Sequence, residues 1–259
     1  MQSGAIRPLN NMLPRNLFNA EHEAFRETVR KFYAKEVVPN IEKYEQQQHV
    51  DRELWNKAGA MGLLCATMPE AYGGSGVDRL YSMILIEEQA YAMDSSTGFS
   101  LHSDIVANYI NNFGNEAQKH YWLTRMASGE TVTAIAMTEP GTGSDLQAVR
   151  TTAVLDGDDY IINGSKIFIT NGYLCDMAVV VCKTGDTDKG SANLSLIIVE
   201  ADRVGFSKGK PLNKIGMKGQ DTCELFFDHV RVPKENLLGM EGMGFMMLMK
   251  ELAWERMLV

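Results

Sequence analysis

A chain of 259 residues can bury a substantial core and form about one or two domains. Its hydrophobic content of 45% and charged content of 22% are those of an ordinary globular protein, and its formal charge of −8 argues against a nucleic-acid partner, which would favour a basic face. No run of Lys and Arg would grip an anionic membrane, and no apolar run approaches the roughly 18 residues of a membrane-spanning helix. Cys65, Cys175, Cys182 and Cys223 show no Cys-x-x-Cys pairing and the five histidines lack ligand spacing, so free buried thiols in a reducing compartment and no metal site are expected.

Residues 1–17 contain Arg7 and Arg15 and no acid, the charge bias of a transit peptide without its amphipathic period. A disordered arm or extension is expected there. Residues 18–130 read as a helical amino-terminal domain. Phe25, Val29, Phe32, Tyr33 and Val37 recur at helical spacing until Pro39 ends the pattern. Asp51 can cap a helix carrying Leu54, Trp55, Ala58 and Met61. The glycines of Pro69–Gly76 predict a loop. Arg79–Met93 is helix-like, with Leu80, Met83, Ile84, Glu87 and Tyr91 along one side, and further stripes lie within Leu101–Phe113 and Glu116–Met126. Such stripes predict core.

From Thr131 the pattern changes to short runs rich in β-branched and aromatic residues. Strands are predicted at Thr131–Met137, Val149–Leu155, Tyr160–Ile162, Lys166–Thr170, Met177–Cys182, Leu194–Val199 and Thr222–Val232. Asp156-Gly157, Asn163-Gly164 and Asn171-Gly172 punctuate them as turns. No helix intervenes, so a parallel sheet of βαβ units is excluded in favour of an antiparallel β-barrel or sandwich over 131–239. The helical period returns in Phe245–Val259, where Met246, Met247, Met249 and Leu252 read as the start of another core. The predicted class is therefore α+β multidomain: an all-α amino-terminal domain, the β middle domain, and over 240–259 the opening helix of a carboxy-terminal helical bundle that is otherwise missing.

One stretch carries more chemistry than the rest: Ala136-Met137-Thr138-Glu139-Pro140-Gly141-Thr142-Gly143-Ser144-Asp145-Leu146. Gly141 and Gly143 permit a tight bend and a close approach to a ligand, because they lack a Cβ. Thr138, Thr142 and Ser144 add hydroxyls, and exposed N–H groups in such a turn can cradle an anion. An isolated Gly-x-Gly-Ser is usually a surface turn; the whole run is far more specific. It resembles the signature of the acyl-CoA dehydrogenases, flavoenzymes that bind FAD on a β domain.

Further segments share the resemblance in the same order. Pro69–Gly76 is similar to the family's amino-terminal loop, and Asn163–Gly172 to the strand that packs on the isoalloxazine. Lys214–Thr222, Phe227–Pro233 and Glu235–Gly239 are similar to the end of its β domain. Met249–Val259 resembles the first helix of its carboxy-terminal domain, in the long-chain branch above all. Together these cover nearly the whole chain from Phe18 onward.

The resemblance implies FAD, lined by the run Ile135–Ser144, including Met137 and Gly143. Thr138 would hydrogen-bond the pyrimidine edge and Ser144 would lie near the pyrophosphate. Phe168 would lie against the flavin where many relatives have tryptophan, beside Ile169, with Thr170 near N5. The implied reaction is α,β-dehydrogenation of an acyl-CoA thioester to a trans-2-enoyl-CoA: a carboxylate removes the α-proton and the β-hydrogen leaves as hydride to flavin N5. Glu255, immediately before Arg256, occupies the base's place in the long-chain and isovaleryl branches. Glu251, four residues earlier on the same face, is its competitor. Ser144 and Arg256 are expected to contact the acyl-CoA, Arg256 alternatively supporting the helix. Glu139, beside Pro140, reads as a structural carboxylate, and His229 and Arg231 as surface or interface residues.

The implied partners are the acyl-CoA, whose length is left open, and an electron-transferring flavoprotein as acceptor. A homo-oligomer, tetramer or dimer, is expected, in the cytoplasm or alternatively the mitochondrial matrix. Acyl-CoA oxidase and flavin monooxygenase of the same fold are the enzymatic alternatives. A non-catalytic binding module is the third, since by analogy the missing domain supplies FAD adenylate contacts, the oligomer interface and a donor to the thioester carbonyl.

Overall fold

The computed structural model describes residues 16–185 and 193–258; the expected amino-terminal arm falls, except for its last two residues, outside them. Helix α1 (Ala20–Phe32) begins where Asn19 closes a capping box: its side chain accepts from the backbone N–H of Glu21 and of His22, and the His22 ring accepts from the Asn19 N–H. Glu21 and Glu23 in the first turn and Arg30 and Lys31 in the last oppose the helix dipole. Pro39 does not stop this helical run as the pattern suggested. A π turn at Tyr33–Val37 and a 3₁₀ turn at Val38–Asn40 take it up, and α2 (Ile41–Gln47) follows at once. Pro39 lies at the start of its short turn, where a missing N–H costs no hydrogen bond.

Asp51 stands at the N-cap of α3 (Arg52–Ala60) but makes no capping hydrogen bond; Lys43 and Gln47 hold its carboxylate instead. Helix α4 (Arg79–Tyr91) turns a different side inward from the expected one. Ser82, Ile84, Leu85 and Glu88 are buried, and Met83 and Tyr91 are exposed. The cause is α1. Arg26, with a fully enclosed guanidinium, pairs with Glu23, Glu87 and Glu88, and Arg30 adds a second cation to Glu88. Buried opposite charges thus choose the face of α4 that meets α1. A π turn at Leu101–Val106 leads into α5 (Ala107–Phe113), and α6 (Glu116–Gln118), a π turn and α7 (Thr124–Ala127) complete this layer.

The middle of the chain is one eight-stranded sheet: β1 (Thr133–Ala136), β2 (Thr152–Asp156), β3 (Asp159–Thr170), β4 (Met177–Thr184), β5 (Leu194–Glu200), β6 (Phe206–Lys208), β7 (Thr222–Pro233) and β8 (Leu237–Leu238). Its order is β6-β7-β3-β2-β4-β5-β8, with β1 also on β4. Most pairings are antiparallel, as expected, but β1 and β2 both run parallel to β4. The β2–β3 hairpin serves as the crossover between them, so no helix is needed. Asn163-Gly164 is not a turn between two strands: β3 runs straight through it, and the register shift there is a bulge of β7, whose Asp228 and His229 stand opposite Asn163 alone. A Cβ at Gly164, which has φ +152°, would fall 2.4 Å from Thr151 Oγ1.

Strands β4 and β5 are buried on both faces, which explains their unbroken apolar sequences. Met177, Val179, Val181, Leu194, Leu196 and Ile198 face the helices in a cluster with Tyr109, Ile110, Leu123 and Met247. The alternating residues Ala178, Val180, Cys182, Ile197 and Val199 face Tyr160, Ile162, Ile169 and Phe227 across the sheet's interior. A separate core joins Val29, Tyr33, Trp55, Leu64, Ile84 and Phe99 in the helical layer. The last element, α8 (Gly244–Leu258), lays Met247 and Leu248 on the first of these clusters. All four cysteines are free and buried. Among the described residues no helix is long and apolar enough to cross a membrane, and no cluster of potential metal ligands occurs.

Gly59 marks the closest approach of α3 to the turn after α7: a Cβ there would lie 2.2 Å from the Ser128 carbonyl oxygen. Backbone cannot yield cheaply, so Gly59→Ala should lower unfolding free energy by about 1–3 kcal/mol. Chemical denaturation with an unchanged m-value measures it.

Candidate functional site

The glycine-rich run leaves the sheet where β1 ends and re-enters at β2, so it bridges two strands that lie end to end along one edge of β4. Its first turn is a small hairpin. The Glu139 N–H donates to Thr142 O at 2.9 Å and the Thr142 N–H to Glu139 O at 3.0 Å, with Pro140-Gly141 at the tip. Thr142 Oγ1 then donates to Ala148 O, and the Asp145 carboxylate accepts from the Gln147 N–H, which folds the rest of the loop back to the sheet.

Glu139 anchors this loop from beneath. It is buried, and accepts from the N–H of Arg150 (2.7 Å), the N–H of Thr151 (3.0 Å), Thr151 Oγ1 (2.6 Å) and Lys166 Nζ (2.9 Å). Burial opposes its charge, but the Lys166 ammonium and the Thr151 hydroxyl and N–H outweigh that and hold its carboxyl below the usual range. Lys166 is wholly enclosed and donates also to Met137 O at 3.0 Å. The structural role expected of Glu139 is what this geometry performs.

Gly141 and Gly143 have neither a left-handed φ nor any neighbour within 4 Å of an added Cβ. Of the two reasons expected for these glycines, the tight bend is corrected, since neither the backbone nor the loop's own packing requires them, and room for a ligand's close approach is what is left. What they leave is open space above the turn, with Ser144 exposed beside it.

Across that space stands the second half of β3. The Ile167 N–H donates to Thr138 O at 2.9 Å, which stitches β3 to the end of β1. Between Lys166 and Ile169 the β3–β7 register shifts again, and Phe168 at the crest of this bulge has φ +60° and is 64% exposed. A phenylalanine held in left-handed backbone with its ring towards solvent is strained, of the order of 1–3 kcal/mol. Strain of this kind clusters at ligand sites. Ile169 turns the other way into the sheet core, so only its backbone is available to a ligand. Thr170 is half-buried next to Asn171, whose Nδ2 donates to Gly98 O and Thr133 O and so ties the strand end to the helical layer. Ile135 and Met137 face the helices within the cluster that contains Tyr109.

Thr138, Gly143, Ser144, Phe168 and Thr170 thus belong to one pair of adjoining segments, with Ile135 and Met137 behind them. Glu255 and Arg256 lie on α8 instead. Glu255 is buried against α5 and its Oε1 accepts from the Tyr109 hydroxyl at 2.6 Å, whereas Arg256 is exposed. Burial pushes the Glu255 carboxyl above the usual range; the Tyr109 hydrogen bond pulls it down and the Glu251 charge pushes it up. Glu251 is also buried, with Asn112 Nδ2 on its Oε1 at 2.8 Å. His229 and Arg231 are at the surface, Arg231 paired with Asp156 and Asp159. Sequence reasoning missed Tyr109, Asn171 and the depth of Lys166. Only Lys166 left a signal, an inward position in register with Tyr160 and Ile162.

Removing the Lys166 charge leaves Glu139 buried and unpaired, so Lys166→Met should cost about 3–5 kcal/mol, measured by chemical denaturation. The Glu139 contribution also has a defined pH dependence. A carboxyl held below its ordinary value stabilises fully above that value and loses its effect as pH falls through the folded-state one. The stability difference between wild type and Glu139→Gln should therefore shrink on acidification from about pH 6 to about pH 3.

Comparison with known proteins places this geometry. The family models for "Acyl-CoA dehydrogenase, N-terminal domain" and "Acyl-CoA dehydrogenase, middle domain" match residues 19–130 and 134–230. The long-chain specific mitochondrial acyl-CoA dehydrogenase of Sus scrofa is 49% identical over 260 residues, covering 100% of this chain and 60% of that protein. The crystal structure of an acyl-CoA dehydrogenase from Geobacillus kaustophilus superimposes with a TM-score of 0.91 at 46% identity, covering 94% of this chain and 64% of that one. An acyl-CoA dehydrogenase from Bacillus anthracis, complexed with FAD, gives 0.85 at 36% identity over 93% of this chain and 42% of that one. The chain spans about 60% of the length of the curated relatives it matches. With both domain models in sequence and the helical layer, sheet and final helix arranged as in these structures, the chain belongs to the acyl-CoA dehydrogenase family.

Proposed function

We propose that this chain contributes the flavin wall and the proton-abstracting carboxylate of an FAD-dependent acyl-CoA dehydrogenase. The observation that carries the reading is the bulge at Ile167–Phe168. It presents a strained, exposed aromatic ring beside a turn whose two glycines leave open space, and Lys166 and Ile167 lock the two segments together. A flat apolar ring flanked by Thr138, Ser144 and Thr170 hydroxyls and by free turn backbone suits a cofactor that is part planar ring, part pyrophosphate. FAD, when bound, supplies the acceptor for the substrate's β-hydride.

The remaining work falls to side chains. Glu255 removes the α-proton, and its burial suits the task because a carboxyl of raised proton affinity is a stronger base once ionised. Glu251 on the same face has its own amide partner, Asn112, and raises the Glu255 proton affinity by like charge. Arg256, exposed on α8, and Ser144 are the candidate contacts to the anionic acyl-CoA. An electron-transferring flavoprotein as acceptor and a homo-oligomeric assembly follow from the family relationship as parts of the same proposal.

Two substitution sets test the two halves separately. Glu255→Gln should retain FAD and lower acyl-CoA turnover by about 10²–10⁴-fold; near-normal turnover would sink the assignment. Phe168→Ala and Gly143→Ala should change folding stability by no more than about 0.5 kcal/mol. Both should still weaken FAD binding, the former by about tenfold for roughly 1.4 kcal/mol of lost ring packing. Unaltered FAD affinity in both would remove the flavin wall from this face. Anaerobic titration of the purified protein with acyl-CoAs of graded length, read as bleaching of the flavin band, tests the reaction directly. Rapid dioxygen consumption without a mediator would favour an oxidase instead.

A further inference from the structure

The seam between α5 and α8 buries more polar chemistry than packing needs. Tyr109 on α5 is wholly enclosed, its ring in the apolar cluster with Ile135, Leu196 and Leu248 and tilted against Phe113 at 6.1 Å between centroids. Its hydroxyl has one partner among the described residues, Glu255 Oε1, and Glu255 Oε2 has none. We propose that Tyr109 is a positioning residue for Glu255: its hydroxyl fixes the carboxylate's orientation through Oε1 and leaves Oε2 to take the substrate proton. The inference rests on the reading of Glu255 as the base.

Three features carry it beyond ordinary packing. A buried phenol without a partner would cost stability, yet this one is given a carboxylate and not a backbone carbonyl. Burial and the two glutamates push the Tyr109 hydroxyl far above its ordinary value, so it stays protonated at any working pH and acts only as donor. The charges around Glu255 leave the phenol as the group that favours ionisation. Helix α5 bears no charged side chain. On α8, Lys250 sits over the Phe113 ring at 5.3 Å, Arg256 points to solvent, and Glu251 opposes the charge. From the π turn, His102 is occupied by Met126 O and Thr133 Oγ1, and burial lowers its pKa to about 4, so it is neutral. Asp104 accepts from Ser82, and burial pushes it to about 6. From α4, Arg79 stacks on Trp254 at 4.1 Å. From β5, Glu200 is bound by Arg203.

The test is the pH dependence of kcat and kcat/KM for acyl-CoA dehydrogenation by the FAD-loaded full-length protein. Activity needs ionised Glu255, so the acid limb of the profile reports the base. Tyr109→Phe keeps the ring and its packing, and should raise that limb by about one pH unit, so that kcat falls by about tenfold at pH values on the limb with KM nearly unchanged. Glu251→Gln removes the opposing charge without touching the tyrosine, and should move the limb the other way. A melting temperature lowered by Tyr109→Phe with the limb unmoved would reduce Tyr109 to packing and overturn the inference. A limb unmoved by Glu251→Gln would overturn it also, because this seam would not then set the base. Glu255→Gln separates the two claims: an inactive Glu255→Gln with an unmoved Tyr109→Phe limb defeats only the positioning role. An active Glu255→Gln defeats the base and its tyrosine together.

Discussion

The ion pair between Lys166 and Glu139 is the interaction on which the site depends. Lys166 is wholly enclosed and the Glu139 side chain is only 5% exposed, so each charge would be costly without the other. The Coulombic attraction alone does not cover that cost. It is supplemented by the Met137 carbonyl on the lysine and by two backbone N–H groups and a threonine hydroxyl on the glutamate. Every one of those partners belongs to the glycine-rich loop, its flanks or β3. Satisfying the pair therefore leaves the loop a single path, and that path places Thr138 against Ile167 and the open turn against the Phe168 bulge. The cradle's outer rim can be loose and exposed because its floor is ionic, buried and fully hydrogen-bonded.

A second constraint connects this cradle to α8. Strands β4 and β5 are apolar on both faces, and only a layer on each side removes those faces from water. The sheet's own interior covers one; α5, the preceding π turn and α8 cover the other. One apolar cluster thus holds Ile135 at the back of the loop and Tyr109 beneath Glu255. The two halves of the proposed site are not joined by a direct hydrogen bond among the described residues. They are positioned by sharing a packed core, which is dense and therefore stiff.

Much of this was legible in the sequence because it is periodic or punctuated. Helical stripes marked α1, α3, α4 and α5, and the unbroken Val and Ile runs marked β4 and β5. Errors arose where tertiary partners overrode local pattern. Pro39 was absorbed by a short turn that needed no N–H from it. Asn163-Gly164 has the chemistry of a turn, but β7 pairs on both sides of it, so β3 runs through it and β7 takes up the bulge. Helix α4 buried Glu88 in place of Met83 because two arginines of α1 were waiting for a carboxylate. Strands β6 and β8, of three and two residues, were too short to carry a period.

By itself the sequence determined the domain order, the β character of the middle segment and the identity of the glycine-rich run, since these rest on residue type and spacing along the chain. It also placed Glu255 and Glu251 one helical turn apart. Tertiary structure alone decided which polar groups are buried together: Lys166 with Glu139, Tyr109 with Glu255, Asn112 with Glu251, Asn171 with the carbonyls of Gly98 and Thr133. The physical reason is dielectric. A side chain's charge, hydrogen bonds and proton affinity depend on what excludes water from it, and those neighbours lie tens to more than a hundred residues away in the chain.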